Sequence, residues 1–251
     1  MDTDCDIRNQ IIIPNPQDGF VKKCSNIELT ALFSKNKNNL KILEKLLLQI
    51  KNKNDIPDTL LIETIRREDT TSQLEAIKLL IEYGADVNYE YNSGRSILIY
   101  CCLYPINNIK ITKLLIENGA NVNFKYSTRT PLMYFISNCF KNEDLQIIKL
   151  LMRKTNKINY KDEFGKTLLM ICFESKTNIF IRYDIIKLLL ENKADIYIKN
   201  DRGKNILNIL EDEICKKSYE NSKFYSLIFN YKNINNDHYC EFDVDFIYNY
   251  F

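Results

Sequence analysis

His238 is the single histidine of the chain and stands two residues before Cys240, in a polar stretch with Tyr239 between them. A histidine beside a cysteine can strip the thiol proton and make a nucleophile, but such a dyad needs an oxyanion hole or a nucleophile elbow to act on a carbonyl. No such pattern accompanies it, so the pair is read as surface residues. Structural zinc needs four closely presented Cys or His ligands. The eight cysteines (Cys5, Cys24, Cys101, Cys102, Cys139, Cys172, Cys215 and Cys240) contain no Cys-x-x-Cys pair, and one histidine cannot complete a set. Four of them fall within helical apolar patterns, where a thiol behaves as a small hydrophobe. Reduced cysteines in a cytosolic or nuclear protein follow.

Phosphate chemistry fares no better. Gly84, Gly94, Gly119, Gly165 and Gly203 are dispersed singly along the chain and build no cradle. With 35 basic and 33 acidic residues the net charge is +2, which gives no sequence-wide field for nucleic acid or anionic lipid. The basic doublets Lys22-Lys23, Arg66-Arg67 and Lys216-Lys217 are isolated and read as solvated surface. The longest apolar run near the start is Ile11 to Ile13, so neither a signal peptide nor a membrane span is expected. Neither a catalytic residue, a metal site nor a cofactor is assigned.

The organising feature is a phrase that occurs twice almost unchanged, at Leu79 to Asn88 (LLIEYGADVN) and Leu114 to Asn123 (LLIENGANVN). It decays into LLMRKTNKIN from Leu150 and LLLENKADIY from Leu188, so the starts are 35, 36 and 38 residues apart. Self-similarity at such a period marks stacked helix pairs, with one quasi-linear core. Before each phrase lies a second pattern, at Gly94 to Cys102, Thr128 to Ile136, Gly165 to Phe173 and Gly203 to Glu211. Ser96, Thr130, Thr167 and Asn205 are placed to cap these helices, and Pro131 is tolerated in a first turn. The paired leucines Leu114-Leu115, Leu150-Leu151 and Leu188-Leu189 are expected between layers. Gly84 and Gly119 stop two of the second helices.

This turn, helix, helix, turn cycle resembles the ankyrin repeat, best at Arg129-Thr130-Pro131-Leu132 with Asn118 to Asn123 before it. The resemblance implies an all-α ankyrin-repeat solenoid of about six modules with degenerate terminal caps. The expected divisions are an N-terminal arm or irregular cap over 1–28, the repeats over 29–231 (clear over about 56–210), and an acidic, aromatic cap or tail over 232–251. The family's His after Pro-Leu is replaced by Ile99, Met133, Met170 and Asn208, so its hydrogen bond to the neighbouring turn is lost. Family alanines are replaced by Cys101, Phe135, Cys172 and Leu210. The inner turns around Asn138 to Asp144 and Ser175 to Tyr183 are longer than usual, and the finger between Asn123 and Thr130 is one residue short and lacks a glycine. Ile56 to Glu63 looks like the opening of an F-box, yet it also fits the first helix of a repeat, with Thr59 spaced 37 residues from Ser96. The return to repeat pattern from Leu74 favours the repeat.

Function follows from the resemblance. It implies a non-enzymatic module that binds a partner protein through finger tips and first-helix faces, with Arg95, Tyr104, Lys125, Arg129, Lys161, Glu163 and Arg202 as the contact residues. Asn, Ile, Lys and Tyr are abundant while Ala and Gly are scarce and Trp is absent, as A/T-rich coding produces; together with the irregular repeats this resembles ankyrin proteins of poxviruses and other large DNA viruses, which implies occlusion of a host innate-immunity or signalling factor. The alternative is an adaptor in a ubiquitin-ligase or signalling complex with a terminal segment as second docking site. A monomer in the cytoplasm, of the host if viral, or in the nucleus is expected, with no nucleic-acid or membrane partner.

Overall fold

The computed structural model describes residues 39–49, 56, 58–66, 70–91, 94–139, 141–155, 157–175, 178–214 and 219–235. The readings of the 1–28 arm, of His238, of the acidic, aromatic end and of Cys5, Cys24, Cys215 and Cys240 lie outside them. The chain divides into two compact units, Met1–Tyr91 and Asn92–Phe251.

In the first unit, α1 (Asn39–Gln49), α2 (Asp58–Ile65) and α3 (Thr70–Glu82) are followed by the short strand β1 (Glu90–Tyr91). α3 packs on both other helices, and Leu43, Leu47, Leu60, Leu61, Ile77 and Leu80 fill the space between them. The segment from Ile56 is thus the first helix of a module whose second helix is α3. Gln73 ties the two by donating its amide hydrogens to the carbonyls of Thr64 and Ile65, which α2 leaves unpaired at its C-terminus.

The second unit opens with β2 (Arg95–Ser96) and continues with four helix pairs. These are α4 (Ile97–Leu103) with α5 (Pro105–Glu117), α6 (Pro131–Asn138) with α7 (Asp144–Lys154), α8 (Leu168–Glu174) with α9 (Ile179–Glu191), and α10 (Ile206–Ile214) with α11 (Tyr219–Asn235). The first helices stack in the order α4, α6, α8, α10, and the second helices in the order α5, α7, α9, α11. An apolar layer runs between successive pairs.

The expected starts hold in three modules and fail in one. Ser96 and Thr130 accept from the amides of Ile99 and Met133. Asn205 accepts from the Asn208 amide at 3.0 Å, and the Asn208 side chain accepts from the Asn205 amide at 3.2 Å. This is a reciprocal capping box, made by the residue that stands where the family has histidine. Thr167 precedes α8 in extended backbone but its side chain makes no capping bond.

The stops of α3, α5 and α9 share one geometry. The amides of Ala85, Ala120 and Ala194 donate to the carbonyls of Leu80, Leu115 and Leu189, a Schellman closure that needs a left-handed residue before each alanine. Gly84 (φ 99°) and Gly119 (φ 90°) supply it in two helices and Lys193 (φ 62°) in the third. The expectation for the leucine pairs is corrected here. Leu115, Leu151 and Leu189 are wholly buried, whereas Leu114, Leu150 and Leu188 are half-exposed, because successive helical residues point about 100° apart. The turn before α9 is also shorter than expected, since the helix begins at Ile179.

Candidate functional site

Between the second helix of one module and the first helix of the next, the chain makes a finger. In the second unit three fingers are described in full, around residues 124–129, 160–166 and 197–204. Each is shaped by local chemistry. The Asp162 Oδ1 atom accepts from the amides of Phe164 and Lys166, and Asn200 Oδ1 accepts from those of Arg202 and Lys204. The same Asp/Asn-x-x-Gly-Lys spacing therefore builds the same closed turn twice. Gly165 (φ 71°) and Gly203 (φ 73°) take the left-handed position in each. The short finger does without glycine: Ser127 (φ 45°) and Thr128 (φ 65°) both adopt left-handed backbone, and Tyr126 and Arg129 exchange two backbone hydrogen bonds of 3.1 and 3.0 Å. That is a two-residue hairpin loop of primed type.

Successive fingers are tied to each other. The Arg129 guanidinium donates to Asp162 Oδ2 at 2.8 Å, Thr155 donates to the Asn123 side chain, and Asn159 accepts from the Asp195 amide. The Asp201 amide donates to the Phe164 carbonyl, so close that a methyl group on Gly165 would stand 2.4 Å from Asp201 Oδ1. The Tyr134 hydroxyl donates to the Tyr126 carbonyl, and burial raises the phenol's pKa.

Two columns of basic residues emerge when the fingers are aligned. Arg95, Arg129, Lys166 and Lys204 share one position, immediately before the helix cap. All four are engaged within the molecule: Arg95 lies 4.8 Å from the centre of the Tyr126 ring, Arg129 binds Asp162, Lys166 pairs with Glu174 and Lys204 with Asp212. Lys125, Lys161 and Lys199 share the other position and are exposed. Lys125 lies 3.7 Å from the centre of the Tyr160 ring, which Lys157 also approaches. Lys161, Lys199 and Arg202 form no ion pair among the described residues.

Of the residues picked from sequence, Lys125, Lys161, Glu163 and Arg202 stand exposed on the fingers, and Tyr104 is 55% exposed at the junction of α4 and α5. Arg95 and Arg129 are half-buried. Arg202 lies two residues before the position that Arg95 and Arg129 share. Tyr126, Tyr160 and Asp162, which receive the basic side chains, were not foreseen; the matched spacing of Asp162 and Asn200 ahead of Gly-Lys was the signal for the last.

Cys101, Cys102, Cys139 and Cys172 are buried thiols, and burial pushes the pKa values of Cys101, Cys102 and Cys172 upward, away from the nucleophilic thiolate. No helix among the described residues is long and apolar enough to cross a membrane.

The family described as Ankyrin repeats (3 copies) matches residues 30–126 and 123–200. The chain belongs to the ankyrin-repeat family. Curated relatives of this ankyrin array include the putative ankyrin repeat protein L371 of Acanthamoeba polyphaga mimivirus, 26% identical over 53% of the chain and 20% of the relative. Ankyrin repeat protein OPG189 of Variola virus is 26% identical over 54% of the chain and 23% of its own length. The chain thus spans about a fifth of each relative. The crystal structure of an ankyrin repeat domain from Acinetobacter baumannii AYE superposes with a TM-score of 0.65 at 18% identity, covering 83% of this chain and 99% of that one. Ankyrin repeats are in general protein-interaction modules, and both of these curated relatives are viral proteins.

Proposed function

We propose that the array is a non-enzymatic binding module that seats a partner protein along the fingers of the second unit, and that it acts by occluding a host factor. The observation that carries this reading is the division of labour between the two basic columns. Arg95 and Arg129 reach the next finger and Lys166 and Lys204 pair within their own modules, while Lys125, Lys161 and Lys199 are exposed at the same position of consecutive modules, Lys125 beside the Tyr160 ring, with Glu163 and Arg202 exposed on the same fingers. Charged and aromatic groups on a pre-ordered scaffold give an interface its specificity and anchors at low ordering cost. The viral relatives supply the support for a host target.

The test replaces Lys161, Lys199 and Arg202 together with alanine, and compares proteins recovered from cells with those recovered by a control in which Lys113, Lys149 and Lys187 on the second helices are replaced. The finger variant should lose a discrete partner that the control keeps. Both should melt close to the parent, since exposed substitutions change stability by no more than about 0.5 kcal/mol. Loss of the partner from the control, or its retention by the finger variant, would sink the reading.

A further inference from the structure

Residues 92–210 contain 19 basic and 10 acidic residues, a net charge of +9, although the whole chain carries only +2. The remaining residues hold 16 basic and 23 acidic groups, a net of −7. The positive charge is therefore concentrated in the repeats that carry the described fingers. On the fingers themselves Lys125, Lys161, Lys199, Arg202 and Lys204 are exposed, with Lys157 just before the second, against Glu163 and Asp201.

We infer that the partner segment seated on these fingers is an acidic polypeptide with aromatic or apolar side chains between its carboxylates. The inference rests on the interaction reading above and names the chemistry of what is bound. Lysines recurring once per module offer a carboxylate partner at each finger. Aromatic surface lies beside them: Tyr160 is flanked by Lys125 and Lys157, and Phe164 is 56% exposed with the Lys166 ammonium 5.8 Å from its ring centre. An exposed ion pair contributes little to affinity, so the lysines set encounter rate and register while apolar contact with the rings supplies residence time. Glu163 and Asp201 favour a polypeptide over a nucleic acid. A continuous phosphate backbone meets a like charge at both of these tips, whereas a peptide can set a neutral or donor residue opposite each.

The experiment measures fluorescence anisotropy of a labelled peptide of alternating Glu and Tyr on the full chain, beside a Gln-for-Glu peptide and a duplex oligonucleotide. The acidic peptide should bind at least about tenfold more tightly than the Gln peptide and weaken steadily with added salt. Lys161→Glu with Lys199→Glu should weaken it about tenfold or more, with an unchanged melting curve. Lys113→Glu with Lys187→Glu, on the second helices, should have a much smaller effect. Equal binding of the two peptides, equal effects of the two charge reversals, or tighter binding of the oligonucleotide would each overturn the inference. If a cellular partner depends on Lys161 and Lys199 but the acidic peptide neither binds nor competes, this inference fails and the interaction reading stands. If the peptide binds at the fingers and no cellular partner depends on them, the interaction reading fails alone.

Discussion

The guanidinium of Arg129 reaches across one module to Asp162, donating to its Oδ2 atom at 2.8 Å, while the Asp162 side chain has no exposed surface and that of Arg129 is 24% exposed. Asp162 Oδ1 is already taken by the amides of Phe164 and Lys166. One carboxylate thus closes its own finger and holds the preceding one. Arg129→Ala should leave a buried carboxylate with its Oδ2 atom stripped of its partner and cost about 1–3 kcal/mol, below the range for a fully buried pair because Arg129 is partly solvated. Urea unfolding gives the number. In an Asp162→Asn background the same substitution should cost much less, and equal costs in the two backgrounds would show that the pair is not coupled.

The leucine pairs offer a direct check on the register. Leu115 is wholly buried between layers, and Leu114 beside it is half-exposed. Leu115→Ala should cost about 2–5 kcal/mol, as core truncations do, and Leu114→Ala clearly less. Because stability in such arrays is roughly a sum over neighbouring modules, hydrogen exchange should show the loss concentrated around α5 and the helices it touches.

Two glycines with like backbone angles should respond differently to alanine. Gly119 (φ 90°) has nothing within 4 Å of an added Cβ, whereas at Gly165 (φ 71°) that atom would stand 2.7 Å from the Asp201 amide nitrogen. Gly119→Ala should cost about 1–2 kcal/mol for the left-handed backbone alone. Gly165→Ala carries that and a collision with backbone, so its thermal midpoint should fall further. Equal midpoints would mean that the two fingers can part without loss.

Much of this fold was legible in the sequence because helix pairing repeats one phrase, and a phrase such as LLIEYGADVN carries its own stop signal. Ser96 and Thr130 announced their helix starts through residue type alone. What escaped notice depends on contacts between modules. Nothing local distinguishes Arg129, bound to Asp162 of the next finger, from Lys166 at the same position, which pairs with Glu174 of its own module; only the alignment of fingers in space separates them. Net charge of the whole chain likewise concealed the segregation between residues 92–210 and the rest of the sequence, since one sum averages stretches of opposite sign.

The short finger carries removable strain. Thr128, a β-branched residue, adopts φ 65°, a region that glycine enters without penalty and that two-residue hairpin loops require. Thr128→Gly should raise stability by a few tenths to about 1 kcal/mol, the relief of left-handed strain being offset in part by the greater freedom of an unfolded glycine. A lower urea midpoint for this variant would mean that the threonine hydroxyl, which donates to the Ser127 carbonyl, outweighs the backbone strain.

The buried thiols make stability depend on pH in the alkaline range. Burial raises the pKa values of Cys101, Cys102 and Cys172 in the folded protein, while unfolded thiols ionise near about 8.5. Above that value the unfolded state has released protons that the folded state retains, so the contribution present in full below about pH 8 declines as pH rises. Each thiol held protonated adds a slope approaching about 1.4 kcal/mol per pH unit. Urea midpoints should therefore fall between about pH 8 and about pH 10, and Cys172→Ala should flatten the decline relative to its own value at neutral pH. A thiol-reactive probe on the native protein provides the independent reading: Cys101, Cys102, Cys139 and Cys172 should label only as fast as the array opens, and rapid labelling of all four would contradict their burial between the layers.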